Sequence, residues 1–161
     1  MELLLRAREL YESGRMHDAL EAAQAACDRR PKDAEAWWLL GCVSRYANLP
    51  GASDEAFRRA SELSKKHALP FRPGRAEFVR MVREAQAKLS TDARRRLQLA
   101  SVQVRELPSI DEIRAGTTPD ALTARKRGTS DVLVVYQVNH ENRSGTEAQL
   151  RRLVERSLSR V

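Results

Sequence analysis

The sequence is poor in cysteine, which limits the kinds of small domain it could form. Only Cys27 and Cys42 occur among its 161 residues, and they lack the C-x-x-C spacing of a zinc clip. A disulfide scaffold needs more cysteines, in pairs. We therefore expect both thiols to be reduced and buried.

Long apolar runs are also missing. The N-terminus, M-E-L-L-L-R-A, has a short apolar run that ends at Arg6, too short for a signal peptide. No stretch approaches the roughly 20 apolar residues that cross a bilayer. The expectation is a cytoplasmic protein without a membrane segment.

The chain is rich in alanine, leucine and arginine, while aromatic residues make up only 5%. This composition favours helix, and an apolar content of 42% is sufficient for a packed core. The net charge of +7 is uneven: residues 1–68 hold 11 basic and 11 acidic side chains, and residues 69–161 hold 18 and 11. We predict a mostly helical α+β chain with two domains, 1–68 and 69–161.

Small residues recur at a fixed distance in the first domain. Four pairs are each separated by 34 positions: Ala7 and Gly41, Ala19 and Ser53, Ala22 and Ala56, Ala26 and Ala60. A period of this length is typical of helix-turn-helix repeats, in which small residues let antiparallel helices approach closely. The pattern predicts helices over 2–13, 17–29, 34–46 and 53–63, with turns at 14–15 and 48–51.

These two copies resemble tetratricopeptide repeats. The matching residues are Gly14, Asp18, Ala19, Ala26 and Pro31 in the first copy and Trp37, Leu40, Gly41, Phe57 and Ala60 in the second. Two positions depart from the family: Leu3 stands where the first copy should have Trp, and Ser53 replaces the usual alanine.

The resemblance implies a concave, peptide-binding face on the first helix of each copy. The side chains on this face would be Arg8, Tyr11, Glu12, Glu35, Trp38, Cys42 and Arg45. Because a free-standing array normally needs at least three repeats, the alternative is that the two copies are mainly a packing platform for the second domain.

The second domain is predicted to contain two strands and about three helices. Apolar residues at helical spacing predict a helix over 75–89 with a short helical continuation over 90–99, a two-turn helix over 109–116 and a last helix over 145–161. Alternating and β-branched residues predict strands over 101–107 and 131–138. Residues 117–130 and 139–145 are predicted to be loops.

From Phe78 onwards the chain resembles the minimal zincin-like metallopeptidase domain of bacteria, which tetratricopeptide repeats often precede. The matching segments are E-F-V-R-M-V-R-E-A, V-Q-V-R-E-L-P-S-I-D-E-I, V-L-V-V-Y-Q-V-N and E-A-Q-L-R-R-L-V-E-R. The resemblance implies a last helix that runs into H-E-x-x-H, whose histidines share a Zn²⁺ while the glutamate activates water.

The zinc motif is not where the resemblance would place it. Aligned on the last helix, its first two positions are Arg160 and Val161, which can neither bind zinc nor act as a base. His140-Glu141 imitates the start of the motif, but Ser144 replaces the second histidine and the surrounding composition predicts a loop. We expect no catalytic, metal-binding or cofactor-binding residue and no cofactor.

Basic side chains of the second domain form three clusters: Arg94 to Arg96, Arg125 to Arg127, and Arg151, Arg152, Arg156 and Arg160. They are either solvated helix faces or a surface for an anionic partner. Few aromatics and no recognition-helix motif argue against nucleic acid and favour an acidic protein.

The leading hypothesis is a non-catalytic protein-protein interaction module, with an inactive zincin-like domain. The first alternative is a truncated zinc metallopeptidase whose catalytic turn lies beyond residue 161 or was lost, and the second is a basic domain that binds an acidic partner or nucleic acid. A zincin core cut short would expose apolar surface on its last strand and helix, so dimerisation is also expected.

Overall fold

The structure is a computed structural model that describes residues 2–97 and 100–161, without the side chain of Ala100. The described chain is α+β and mostly helical, with nine helices and a three-stranded sheet. The helices are α1 (Glu2–Glu12), α2 (Met16–Arg29), α3 (Ala34–Tyr46), α4 (Pro50–Leu63), α5 (Arg75–Ala87), α6 (Thr91–Leu97), α7 (Ile110–Arg114), α8 (Gln137–Asn142) and α9 (Glu147–Ser159). The strands are β1 (Ala100–Arg105), β2 (Thr123–Lys126) and β3 (Asp131–Tyr136).

The chain divides into two compact units. The helical unit comprises Met1–Pro70 and Ser109–Asp120, and the sheet unit comprises Phe71–Pro108 and Ala121–Val161. The sequence-based division at residues 68 and 69 assigned the segment 109–120 to the second domain. In the structure this segment groups with the first.

Close approach of α3 and α4 organises the helical unit. A Cβ built on Gly41 would lie 2.7 Å from Cε1 of Phe57, so only glycine lets the phenylalanine ring sit directly on the α3 backbone. The Ser53 hydroxyl, fully buried, donates to the Gly41 carbonyl at 2.6 Å. The serine that departs from the usual alanine therefore has a partner across this contact.

The turn between α3 and α4 is shorter than predicted. The expected turn at 48–51 includes Pro50 and Gly51, but α4 already begins at Pro50. Proline suits the first turn of a helix because its missing N–H has no partner there. The reversal is made just before it, at Asn48, which has φ +60°.

Helix α7 packs inside the helical unit. Ser109 caps it, accepting from the Glu112 N–H while the Glu112 side chain accepts from the Ser109 N–H, as in a capping box. Gly14, with φ +82°, lies beneath the side chains of Ile110 and Ile113. The Ile113 side chain joins the same apolar core as α1, α2 and α3.

The sheet unit contains one sheet with strand order β1-β3-β2. Strand β3 pairs in parallel with β1 and antiparallel with β2. The apolar residues of β3, α5 and α9 form its core, namely Phe78, Met81, Val82, Leu133, Val135, Leu150, Val154 and Leu158. The expected exposure of apolar surface on the last strand and helix is therefore wrong, because these side chains are buried.

Two predicted loops of the sheet unit contain regular structure. Residues 123–126, in the expected loop 117–130, form β2 because they pair with β3, although their own sequence, T-A-R-K, has no apolar alternation. Residues 137–142 form α8, partly in the expected loop 139–145. The expected helical continuation over 90–99 is seen as α6, and its last two residues lie outside the described chain.

Candidate functional site

The face predicted to bind peptides, on α1 and α3, is covered by the chain itself at one end. Tyr11 and Cys42 are buried there. Tyr46 packs edge-to-face on Tyr11, with ring centroids 5.9 Å apart, and donates its hydroxyl to the Pro119 carbonyl at 2.5 Å. Burial raises the pKa of Tyr11 well above its usual value, with further contributions from Cys42, Tyr46 and Asp120.

The opposite end of this face carries Glu35 and Trp38. The His67 ring is stacked on Trp38, with centroids 5.8 Å apart, and its Nε2 lies 2.9 Å from a Glu35 oxygen. Lys66 donates to the same oxygen at 3.0 Å. Although partial burial opposes it, these hydrogen bonds lower the pKa of Glu35. Lys66 and His67, which follow α4, therefore already bind the Glu35 carboxylate at this end.

Three residues of the predicted face are left at its margin. Arg8 lies 3.9 Å from Glu35, Arg45 is half-buried and Glu12 is exposed. The structure thus brings all seven predicted residues onto two neighbouring helices, but the chain's own segments cover four of them.

A groove of about 630 Å³ lies on another face of the helical unit, between α2, α3 and α4. Its deepest described side chains are the buried Leu40, Ser44 and Ala56. Leu49 lies at its edge with 45% of its surface exposed. We call this opening the α2–α4 groove. The full lining is Leu20, Glu21, Gln24, Ala25, Asp28, Trp37, Leu40, Ser44, Leu49, Ala52, Glu55 and Ala56.

Every charged side chain that lines the α2–α4 groove is acidic. Glu21 and Asp28 are on α2, and Glu55 is on α4. Glu55 bonds to Arg58, which lowers the pKa of the Glu55 carboxyl. The Arg58 guanidinium also bonds to Glu62, so this three-residue cluster keeps a net negative charge.

Trp37 links the apolar part of the groove to its surroundings. Its indole N–H donates to the Pro31 carbonyl at 2.8 Å, and the Arg59 guanidinium lies 5.3 Å from its ring centre. These contacts hold the ring in a fixed orientation along the groove. Sequence reasoning missed this site because Leu20, Leu40 and Ala56 look like ordinary core positions; exposed Leu49 beside the turn was the available signal.

A smaller cleft of about 520 Å³ lies between α1 and the end of α2. Its lining combines the apolar Leu3, Leu4 and Ala26 with the charged Glu2, Arg6, Arg29, Arg30 and Asp33. Asp33 is the cap of α3 and accepts from two of its N–H groups. Charges of both signs meet here, so the cleft is less selective electrostatically than the α2–α4 groove.

In the sheet unit, His140 is completely buried on α8 rather than exposed on a loop. Its Nδ1 lies 2.8 Å from the Tyr136 carbonyl, an acceptor, so Nδ1 carries the hydrogen and donates. Nε2 is then the acceptor for the Ser157 hydroxyl, 2.7 Å away, whose oxygen also lies 2.7 Å from a competing acceptor, the Leu153 carbonyl oxygen. Burial is the main reason that the pKa of His140 is lowered to about 4. Both ring nitrogens are thus engaged in structural hydrogen bonds.

The residues that follow His140 also form hydrogen bonds within the sheet unit. Arg72 donates to Glu141 at 3.1 Å and to Asn142 at 3.0 Å. Ser144, at the position of the second zinc histidine, donates its hydroxyl to the His140 carbonyl. Across the described residues no group of three or more His, Cys, Asp or Glu side chains could hold a metal ion.

The basic clusters of the sheet unit are partly engaged within it. Arg94 donates to the Ala87 carbonyl, and Arg96 donates to the Val161 carbonyl. Arg151 bonds to both Glu84 and Glu147, which raises its pKa. These guanidinium groups already serve as structural contacts of helix ends and neighbouring helices.

Comparisons with models of known families, with curated proteins and with solved structures find no match. In addition, no helix in the described part of the chain is long and apolar enough to cross a membrane.

Proposed function

We propose that this chain is a non-catalytic protein-binding module and that it binds its partner through the α2–α4 groove of the helical unit. The observation that carries this proposal is an apolar groove of about 630 Å³ with exposed Leu49 at its edge. Grooves between packed helices commonly receive an apolar helix face of a partner. The resemblance of residues 1–68 to tetratricopeptide repeats supports the same class of function.

Burial of apolar surface would drive the association. Each square ångström of apolar surface removed from water contributes about 25 cal/mol, and Trp37 supplies a large aromatic contact at the groove. Aromatic anchors in well-packed pockets dominate the binding energy of many interfaces. Binding here needs no rearrangement of the α1–α3 face, which the chain's own segments already cover.

The arrangement around His140 supports the non-catalytic part of the proposal. A zinc ligand needs a free ring nitrogen, and a Ser-His nucleophile needs an accessible hydroxyl. His140 uses both nitrogens inside the fold, and its partner Ser157 is buried. The second alternative, a basic surface for an acidic partner or nucleic acid, has less support because several of its arginines have intramolecular partners.

Site-specific photocrosslinking in the native cells compares the two faces directly. A benzophenone amino acid placed at Ala52, at the α2–α4 groove, should yield one discrete crosslinked species. The same amino acid at Glu12, on the face predicted from the sequence, is the matched control and should yield none. The Ala52 species should disappear when Leu49→Asp is also introduced.

The crosslinked protein, once purified, should bind the wild-type chain in calorimetry and fail to bind Leu49→Asp. The assignment to the groove would be overturned by a crosslinked species that forms only from position Glu12. It would also be overturned if the species crosslinked from Ala52 still formed in the Leu49→Asp variant. Peptide hydrolysis that a chelator abolishes would overturn the non-catalytic part.

A further inference from the structure

We infer that the occupant of the α2–α4 groove is a basic amphipathic helix of the partner protein. The inference rests on the proposed function and adds the chemistry of the partner. It is carried by the charges around the groove, because apolar burial alone would accept any amphipathic helix.

The dimensions of the groove suit a helix. Helices α2 and α4, which line its two sides, each have 14 residues. The groove is lined by residues 20–28 of α2, about 12 Å at 1.5 Å per residue, which flanks about two turns of a third helix. Such a helix would place its apolar stripe on Leu20, Trp37 and Leu49, which keep accessible surface, with the buried Leu40 and Ala56 beneath them.

Carboxylates stand on both sides of that apolar floor. Glu21 and Asp28 are seven residues apart, two turns on the same face of α2, and Glu55 faces them from α4. A bound helix with Lys or Arg on both flanks of its apolar stripe would bring a cation towards each row. A helix with acidic flanks would meet like charges on both sides, which disfavours binding.

Neighbouring cations offset this field on the α4 side only, where Arg58 and, to a smaller extent, Arg59 lower the pKa of Glu55. Arg58 is shared between Glu55 and Glu62, and Arg59 lies over the Trp37 ring. His17 lies 3.6 Å from Glu21 and adds charge only when protonated. The two α2 carboxylates therefore remain as the main determinants of specificity, with Glu55 as a partly compensated third.

Three model helices test the inference. Each is an 18-residue peptide with the same stripe of leucines, and the remaining positions are lysine in one, glutamine in the second and glutamate in the third. A dye on the peptide reports binding to the wild-type protein by fluorescence anisotropy. In a Trp38→Phe variant, Trp37 is the only tryptophan, so its emission reports whether the peptide reaches the groove.

The lysine peptide is expected to bind at least tenfold more tightly than the glutamine peptide and to shift Trp37 emission. Glu21→Lys with Asp28→Lys should remove that preference, and added salt should reduce it. Glu9→Lys with Glu12→Lys is the matched control: it makes the same change in net charge at exposed sites on α1 and should leave the preference intact.

Each other outcome has a definite meaning. If the glutamine or glutamate peptide binds as tightly as the lysine peptide and Leu49→Asp abolishes the binding, the charge inference is wrong and the groove function stands. If the α1 control weakens binding as much as the α2 variant, the attraction is non-specific and the inference is wrong. If no peptide binds, both the inference and the groove function are overturned.

Discussion

Helix α3 of the helical unit and helix α8 of the sheet unit are both deeply buried, but by opposite means. The buried residues of α3 are small or apolar: Ala36, Leu39, Leu40, Gly41, Cys42, Val43 and Ser44. All six residues of α8 are buried, and only Val138 is apolar. Burial thus depends on shape in one unit and on polar partners in the other.

The difference decides which substitutions each unit tolerates. Close packing penalises any change of volume, since interiors have few voids. A buried polar helix penalises the loss of one hydrogen-bond partner, because the group left behind is desolvated without compensation. In α8 every polar side chain has a partner, including Asn139, which donates to the Ala121 carbonyl at 2.8 Å.

The largest effect is expected from breaking the contact between Arg72 and α8. Arg72→Met removes the guanidinium that lies 3.1 Å from the Glu141 carboxylate, which is only 2% exposed. Removing one member of a buried ion pair costs about 3–5 kcal/mol of unfolding free energy. Urea unfolding followed by circular dichroism, together with hydrogen exchange of the α8 amides, measures it. Tryptophan emission reports only the helical unit, since Trp37 and Trp38 both lie there.

The matched control removes both partners. Arg72→Met combined with Glu141→Leu should lose less stability than Arg72→Met alone, because the charge of Glu141 is removed as well. Equal losses in the single and double variants would show that Arg72 acts by packing rather than by its charge.

An intermediate effect is expected from pH. His140 is neutral in the fold because burial lowers its pKa from 6.5 to about 4. Below about pH 6.5 the unfolded chain binds a proton that the folded chain does not, so stability is lost as the pH falls towards 4, by up to about 3 kcal/mol. The contribution is fully present above pH 6.5. Urea unfolding at several pH values should show this slope in the wild type.

His140→Gln should flatten that slope relative to the wild type between pH 6.5 and 4. His17→Gln, at an exposed position on α2, is the control for the same substitution elsewhere. An unchanged slope in His140→Gln would mean that His140 is accessible to protons in the folded state.

The smallest of the three effects is expected in the helical unit. Gly41→Ala would place a methyl group 2.7–2.9 Å from three ring carbons of Phe57, and overpacking of this kind costs about 1–3 kcal/mol. Urea unfolding followed by tryptophan emission measures it. Gly51→Ala, whose added methyl meets nothing within 4 Å, is the control and should be neutral or slightly stabilising because alanine favours helix.

Combining Gly41→Ala with Phe57→Leu tests whether the loss comes from steric contact between the added methyl group and the Phe57 ring. The double variant should lose less stability than the sum of the two single losses, since the smaller side chain relieves the contact. Additive losses would mean that the Phe57 ring is not what Gly41 accommodates.

Helices and strands that are specified by residues within or next to them were predictable from the sequence. The helix expected over 34–46 matches α3, because Asp33 caps it and accepts from the Glu35 and Ala36 N–H groups. Thr146 caps α9 in the same way, accepting from the Gln149 N–H. The strand predicted at 131–138 is confirmed as β3 for residues 131–136, since β-branched residues there favour extended backbone.

Elements that form only through contacts with residues far away in the chain were not predictable. Strand β2 has a polar sequence and becomes a strand only by pairing with β3. Helix α8 has the composition of a loop and becomes a buried helix because Arg72, Ser157 and the Ala121 carbonyl supply partners from elsewhere in the chain. The α2–α4 groove likewise depends on how three helices pack together, which cannot be predicted from the sequence pattern of each helix alone.

By itself, the sequence determined the four helices of the first domain, the caps of α3 and α9, the two main strands and the absence of a second histidine at Ser144, because each is encoded in residues close together along the chain. Only the tertiary structure decided which face of the helical unit stays open. The segment 109–120 covers Tyr11 and Tyr46, whereas no described residue covers the acidic α2–α4 groove. Contacts between residues far apart in sequence leave no local pattern.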